Sequence, residues 1–377
     1  IPVHLIDEII LYHGGSSLQK TSGALGGSIH INSKPDWSDN FYGRIIQTAG
    51  SFNTYQSFVK IGGGNQKLQT TLRLYHEQSD NDFSFYNNAN GRWNSTKQNH
   101  ADYSKYGGLC DVYYKIKNNQ FIAFNIWGNY ADRNLPPIMS YEGNGRDENQ
   151  KDKTLKISGK WKKQCKKNII SELNTGISFT NLEYYLGNQT NGGFLLNYHS
   201  ISNINSFFNN YSIKFNVTDK LFLRSLIRYN FHKANIMDQT DSSGYAAERT
   251  EMGSSVSLHY EISEYLTAYS ILRTDYIDHK TTSLMPSFGI EISPFKKQIF
   301  LIKTNLAKNY HQPTLNDLYW VPGGNPDLKP EQGYTADLNI EYQTKKNKIL
   351  QFKSSISGFL SSIDDWIIWQ PGEYRYW

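Results

Sequence analysis

The 377-residue chain carries 39 Lys and Arg against 34 Asp and Glu, a formal net charge of +5, with 14% aromatic and 19% charged residues. No run of about 18 apolar residues occurs, so no helix can cross a membrane, and the small, scattered positive charge argues against a nucleic-acid-binding surface. The two cysteines, Cys110 and Cys165, fall on separate predicted strands and form no CxxC site.

The first stretch with clear organisation is Ile6 to Lys34. It predicts a short strand through Ile9 and Leu11, then a Gly14-Gly15 turn. A small-residue turn with Gly23-Ala24 and Gly26-Gly27 follows, and a second strand alternates Ile29 and Ile31 with polar residues. Glycines in these numbers imply positive φ or close backbone approach. A compact hairpin in any α+β domain also fits the stretch taken alone.

From Phe41 onward the pattern changes to period two. Tyr106, Gly108, Cys110, Val112, Tyr114 and Ile116 share one face, while Lys105, Asp111, Tyr113 and Lys115 fill much of the other. Ile122, Phe124 and Ile126 oppose Ala123, Asn125 and Trp127; Leu338 and Ile340 oppose Asp337 and Asn339. About fifteen such segments follow one another, each about ten residues or longer, as tilted membrane strands need. Sandwich strands are usually about five or six residues. A barrel with an apolar outer face and a polar lumen satisfies the alternation, and closure removes the edges that lipid cannot satisfy. No blade motif repeats at a period of about 40 residues, which argues against a propeller.

Short turns are predicted near Asn65-Lys67, Lys117-Gln120, Lys166-Asn168, Asp219-Lys220, Ser263-Glu264, Lys296-Gln298 and Lys345-Lys348. Longer connections are predicted at Ser79-Ala101, Asn134-Asp152, Asn188-Ser200, Gln239-Glu248 and His311-Gln332, with a tight first hairpin at Ser51-Asn53. That asymmetry is the outer-membrane pattern of brief periplasmic turns and long extracellular loops. Tyr and Trp recur near strand ends, among them Tyr130, Trp161, Tyr184, Tyr211, Tyr229 and Trp369, as an interfacial girdle predicts.

Late in the chain, Gln312-Pro313-Thr314-Leu315-Asn316-Asp317-Leu318-Tyr319 leads to Asn325-Pro326-Asp327-Leu328-Lys329-Pro330-Glu331. The prolines cannot continue a ladder, so the strand must stop there. This segment and the Ile6–Lys34 stretch, in this order, resemble two landmarks of the TonB-dependent outer-membrane receptors. Asp7-Glu8-Ile9, Gly14, Ser22 to Gly27, Ile29, Ile31 and Lys34 match the last part of the family's plug. Gly15 and Ser33 stand where the family usually has Pro and Thr.

The resemblance implies an all-β fold: an antiparallel transmembrane β-barrel, partial, with about 15 of the family's 22 strands. Residues 1–37 would be the C-terminal part of a plug domain and 38–377 the partial barrel. Ile1 then falls inside a domain and Trp377 in a loop. A piece of this kind would leave two open strand edges and is expected not to fold stably or transport by itself. The implied location is the outer membrane of a Gram-negative cell, in contact with outer-membrane lipid. The implied activity is energy-coupled import of a large scarce nutrient, driven by TonB acting on an upstream segment. Cobalamin or a related corrinoid is the expected ligand, with a ferric siderophore or haem the alternative in the same family. A surface lipoprotein capping the loops is a further expected partner. Readings of another class are a passive porin and a secreted β-rich adhesin.

No HExxH, Walker or Gly-x-Ser-x-Gly motif occurs, so an enzyme is not expected. Phe83, Phe85, Tyr86, Trp93, Tyr141, Tyr319 and Trp320 lie in the long loops, where aromatics can grip a ligand or fold the loops onto themselves. Asp80 and Asp82 can offer oxygen ligands to calcium, which receptors similar to the cobalamin transporter bind in this loop; a solvated polar turn accounts for the same residues.

Overall fold

The computed structural model describes residues 3–13, 27–35, 37, 40–89, 91, 93–137, 145–190, 192–295, 300–344 and 352–369. The glycine step at 14–26, and the turns at 296–299 and 345–351, lie outside them.

A first antiparallel pair, β1 (Glu8–His13) and β2 (Gly27–Asn32), forms a separate two-stranded sheet. A 16-stranded sheet then begins with β3 (Tyr42–Gly50), β4 (Thr54–Gly64) and β5 (Leu68–Ser79). A small loop hairpin, β6 (Ser84–Asn87) with β7 (Asn94–Lys97), interrupts it. The sheet resumes with β8 (Tyr103–Lys117), β9 (Gln120–Asn134), β10 (Arg146–Lys166), β11 (Ile169–Thr190), β12 (Gly193–Asn216), β13 (Leu221–Asp238) and β14 (Gly244–Ser263). Next come β15 (Leu266–Ile277), the two-residue β16 (Lys280–Thr281) beside it, β17 (Met285–Ile292) and β18 (Phe300–His311). One short helix, α1 (Leu315–Tyr319), precedes β19 (Glu331–Gln343) and β20 (Lys353–Asp364). Successive strands pair antiparallel, β5 with β8 past the loop hairpin and β15 with both β16 and β17, in an up-and-down meander with β3 and β20 at its ends.

The alternation resolves into two environments. Phe124 is 45% exposed, Ile227 60% and Leu338 46% on the outer face, whereas Arg73 is 2% and Asp111 0% exposed on the inner face. A soluble monomer rarely exposes a continuous apolar surface larger than a few hundred Å². In a bilayer the same surface needs no cover, and the ladder satisfies the backbone internally.

The strands also report where the bilayer ends. Toward the long-loop side the outward positions turn polar along one line of cross-strand partners: Lys153 with Asn181, Asn181 with Asn203, Asn205 with Lys233, and Lys233 with Glu248. Asn181 donates to Asn203 at 2.9 Å, and Lys233 Nζ lies 2.7 Å from Glu248. Below that line the outward residues are Ile157, Ile177, Phe207 and Ile227. Strands β10 to β13, at 18 to 24 residues, therefore continue past the hydrocarbon as a paired ribbon.

This corrects three expected loops. Asn188–Thr190 and Gly193–Ser200 are ladder, β9 runs to Asn134 and β10 already begins at Arg146, and only 239–243 separate β13 from β14. The polar composition that marked them as loops belongs to strands standing in water, where both faces can be polar and cross-strand pairing still holds.

Candidate functional site

Three places on the inner side gather functional side chains. The first is the seat of the β1–β2 hairpin. Asp7, just before β1, accepts from Arg73 Nη2 at 2.5 Å, Lys60 Nζ at 3.2 Å and the Lys34 backbone N–H at 3.2 Å. Arg73 also pairs with Asp111, and Asn125 donates to the same carboxylate. Ser33, just after β2, donates to Asp111 at 3.0 Å and accepts from the Tyr113 hydroxyl at 2.8 Å. Burial alone would raise the Asp7 carboxyl; the Lys34 N–H, Arg73 and Lys60 outweigh it and hold the group below its ordinary value. Leu5 packs on Phe58 and Tyr75, and Trp37 lies edge-on to Tyr113 and Phe121 under the Lys115 ammonium at 4.4 Å. The hairpin is thus tied at both ends to the inner face of β4, β5, β8 and β9.

The second place is a charge cluster on β13, β14 and β15, further along the sheet. Asp275, 2% exposed, holds Arg273 at 2.8 Å and Arg228 at 3.1 Å, and Arg249 Nε lies 3.0 Å from Asp278. Glu251, the acceptor for Asn230 at 3.3 Å, completes a set of three guanidiniums facing three carboxylates. Buried charges persist only when paired and hydrogen-bonded, and this lattice balances the charge that the wall buries.

The third place is the long-loop rim, where the sequence located its ligand-gripping aromatics. They form two groups. Phe83 sits 6.1 Å from both Phe52 and Phe85, a cluster internal to its own side of the rim. Tyr86 and Trp93, at the β6–β7 hairpin, are each 72% exposed. Across the mouth, Trp320 lies 6.4 Å from Tyr198, which lies 5.8 Å from Tyr184, and Tyr319 lies 6.0 Å from Tyr245. Tyr141 falls outside the described residues. Tyr184, expected in the girdle, instead points inward and donates to Glu148 at 2.5 Å. Tyr198 and Tyr245 were not singled out in the sequence, because both lie within stretches read as loop rather than inward-facing strand.

The second aromatic group is held by α1. Thr314 caps the helix in a reciprocal box with Asp317, with distances of 3.1 and 2.7 Å, and Trp369 donates to Asp317 at 2.9 Å. Tyr245 donates to Asn316. Gly324 packs so closely that a Cβ there would stand 2.5 Å from the Trp320 nitrogen. Although burial opposes it, the bonds from Thr314 and Trp369 keep Asp317 ionised below the ordinary carboxylate range. Replacing Asp317 by asparagine is expected to loosen α1 by about 1 kcal/mol, seen as roughly fivefold faster amide exchange across residues 315–320. Unchanged exchange there would show that Trp320 is positioned by other contacts.

Asp80 and Asp82 diverge. Asp82 pairs with Lys97 at 2.5 Å, and Asp80 accepts from Asn53 at 2.6 Å. Asp80 also borders an open cleft of about 390 Å³ with Asp102, Asp132, Asn134 and Asn149. The Asn149 side-chain oxygen there is buried and without a hydrogen-bond partner. Among the described residues no three acidic, histidine or cysteine side chains converge closely enough to form a metal centre.

A family model described as TonB dependent receptor-like, beta-barrel matches residues 12–376. The chain belongs to this family. The receptor is accordingly an outer-membrane barrel protein of a family of transporters and receptors rather than enzymes. Two curated relatives are vitamin B12 transporters named BtuB. That from Photobacterium profundum is 33% identical over 116 residues, covering 30% of this chain and 17% of the relative. That from Vibrio vulnificus is 29% identical over 128 residues, covering 33% and 19%. Among solved structures, the copper transporter OprC superposes with a TM-score of 0.74 at 14% identity, over 97% of this chain and 60% of that one. The hemophore receptor HasR of Serratia marcescens, in complex with HasA and heme, gives 0.76 at 13% identity, over 97% and 62%. The receptor chain therefore spans about three fifths of the solved barrels it matches, and these likenesses show the fold.

Proposed function

We propose that the receptor imports a corrinoid across the outer membrane, with energy supplied by TonB. The observation that carries the ligand class is the local identity to two vitamin B12 transporters. The architecture supports the transport reading: a polar-lined wall holds a plug-like hairpin on its inner face, and aromatic clusters stand at the loop rim. Tyr198, Tyr245, Tyr319 and Trp320 offer flat apolar faces to a large planar ligand. Porin-like diffusion would not call for a hairpin fixed to the wall by Asp7 and Ser33.

A calcium ion beside Asp80 belongs to the same reading. The cleft offers the carboxylate oxygens of Asp80, Asp102 and Asp132, the donor type a hard cation takes, beside the Lys151 side chain, and the unpartnered Asn149 oxygen is a candidate ligand. In this reading Asp80, which borders the cleft, would hold the ion, and Asp82, paired with Lys97, would not.

The deciding experiment is uptake of labelled cyanocobalamin by cells whose only corrinoid route is this receptor, with and without TonB. Saturable, TonB-dependent uptake is expected, with Trp320→Ala raising the half-saturating concentration about tenfold, the size of one lost aromatic contact. TonB-dependent uptake of haem or a ferric siderophore without corrinoid would transfer the receptor to that ligand class. Uptake indifferent to TonB would overturn the energy-coupled reading altogether.

A further inference from the structure

One place on the lipid-facing wall is hollow. Val112 and Tyr114 of β8, Phe124 of β9, and Trp161 and Leu173 of β10 and β11 surround an open groove of about 310 Å³. Its floor is Gly159, which pairs with Phe124 on one side and Thr175 on the other. A Cβ at Gly159 would meet only Thr175 Cγ2 at 3.7 Å and the Ala123 carbonyl at 4.0 Å. The hollow is therefore space left by an absent side chain on an otherwise apolar surface.

The groove lies next to the short-turn rim, and that rim is cationic. Lys163 is one step beyond Trp161 on the same outward face, by the register Trp161 with Ile122 and Lys163 with Gln120. Lys166 and Lys167 stand exposed at the β10–β11 turn, and Lys117 at the neighbouring β8–β9 turn. Residues 115–120 and 162–168 contain no carboxylate. On the inner side, Glu172 is engaged by Lys160 at 3.2 Å. Trp161 and Tyr114 sit between the hollow and the lysines, at the depth where amphipathic rings meet lipid carbonyls. Lysine stems lie along apolar surface while their ammonium groups reach the headgroup layer.

We propose that this groove binds one acyl chain of an anionic glycerophospholipid of the periplasmic-facing leaflet, with the lipid phosphate held by Lys163, Lys166, Lys167 and Lys117. A general hydrocarbon belt needs the apolar lining alone. The hollow, flanked by four cations on two turns that carry no carboxylate of their own, fits a lipid whose two ends are both recognised.

The test uses the full receptor extracted from the outer membrane in mild detergent, with retained lipids counted by native mass spectrometry. The wild type is expected to retain phosphatidylglycerol over phosphatidylethanolamine by about fivefold relative to the membrane. Gly159→Leu, which fills the hollow, and the triple change Lys163→Gln, Lys166→Gln, Lys167→Gln should each abolish that enrichment. A second measurement needs neither variant: in nanodiscs, brominated phosphatidylglycerol should quench the Trp161 emission, taken as the difference from Trp161→Phe, more than brominated phosphatidylethanolamine does. Equal quenching by the two lipids, or undiminished enrichment in the correctly folded Gly159→Leu receptor, would overturn the proposal.

Discussion

Replacing Arg73 by methionine is expected to destabilise the seat of the β1–β2 hairpin by about 3–5 kcal/mol, the usual result of removing one partner from a buried charge set. Arg73 is 2% exposed and serves two carboxylates, Asp7 and Asp111. Without the guanidinium, Asp111 remains wholly buried, with hydrogen bonds from Asn125 and Ser33 but no charge to balance its own. The expected readout in the full receptor is protease cleavage within residues 1–37 at a denaturant concentration that leaves wild type intact. Adding Asp111→Leu to Arg73→Met should recover part of the loss, because the remaining buried charge is then gone. A pH series supplies an independent check. The Asp7 carboxyl is depressed in the folded state, so its contribution is complete above the ordinary carboxylate value and fades as pH falls through the lower folded value. Equal protease resistance of wild type and Arg73→Met would show that Leu5 and Trp37 hold the hairpin without the charges.

The second large effect belongs to the outer face. Ile227→Arg is expected to cost about 2–4 kcal/mol, the penalty for a cation at the bilayer midplane of a barrel. Ile227 is 60% exposed and lies midway along the apolar part of β13, with Tyr211 and Ser254 as its cross-strand partners. The same change at Asn235, above the polar line through Lys233 and Glu248, should cost less than about 1 kcal/mol, because the penalty fades at the interface. Reversible urea unfolding in thin-bilayer vesicles measures both. Similar costs at the two sites would place the membrane boundary elsewhere on β13.

Part of the candidate site was legible in the sequence because its chemistry is local. The turn prolines Pro313, Pro326 and Pro330, and the aromatics Tyr319 and Trp320 between them, mark a folded loop before any coordinates. The partners of those aromatics were not legible. Tyr198 and Tyr245 lie far away in the chain, and only antiparallel register brings β12 and β14 to the same mouth. Likewise Asp80 and Asp82 are two residues apart, yet one borders the acidic cleft and the other turns to Lys97. Spacing cannot distinguish them, because extended backbone would put both on one side, and it is the positive φ of 50° at Asn81, between them, that breaks the alternation.

By itself the sequence determined the two-faced ribbon, because a period of two obliges alternate residues to share a side, and it determined which rim carries the long loops. It also placed the plug-like stretch before the wall. Only the tertiary structure decided how far the strands run beyond the membrane and which inward charges meet. Arg73 reaches Asp7 across 66 residues and Asp111 across 38. Such encounters follow from strand register and the hairpin's seat, which arise when many hydrogen-bonded pairs form together, and no stretch of the chain encodes them alone.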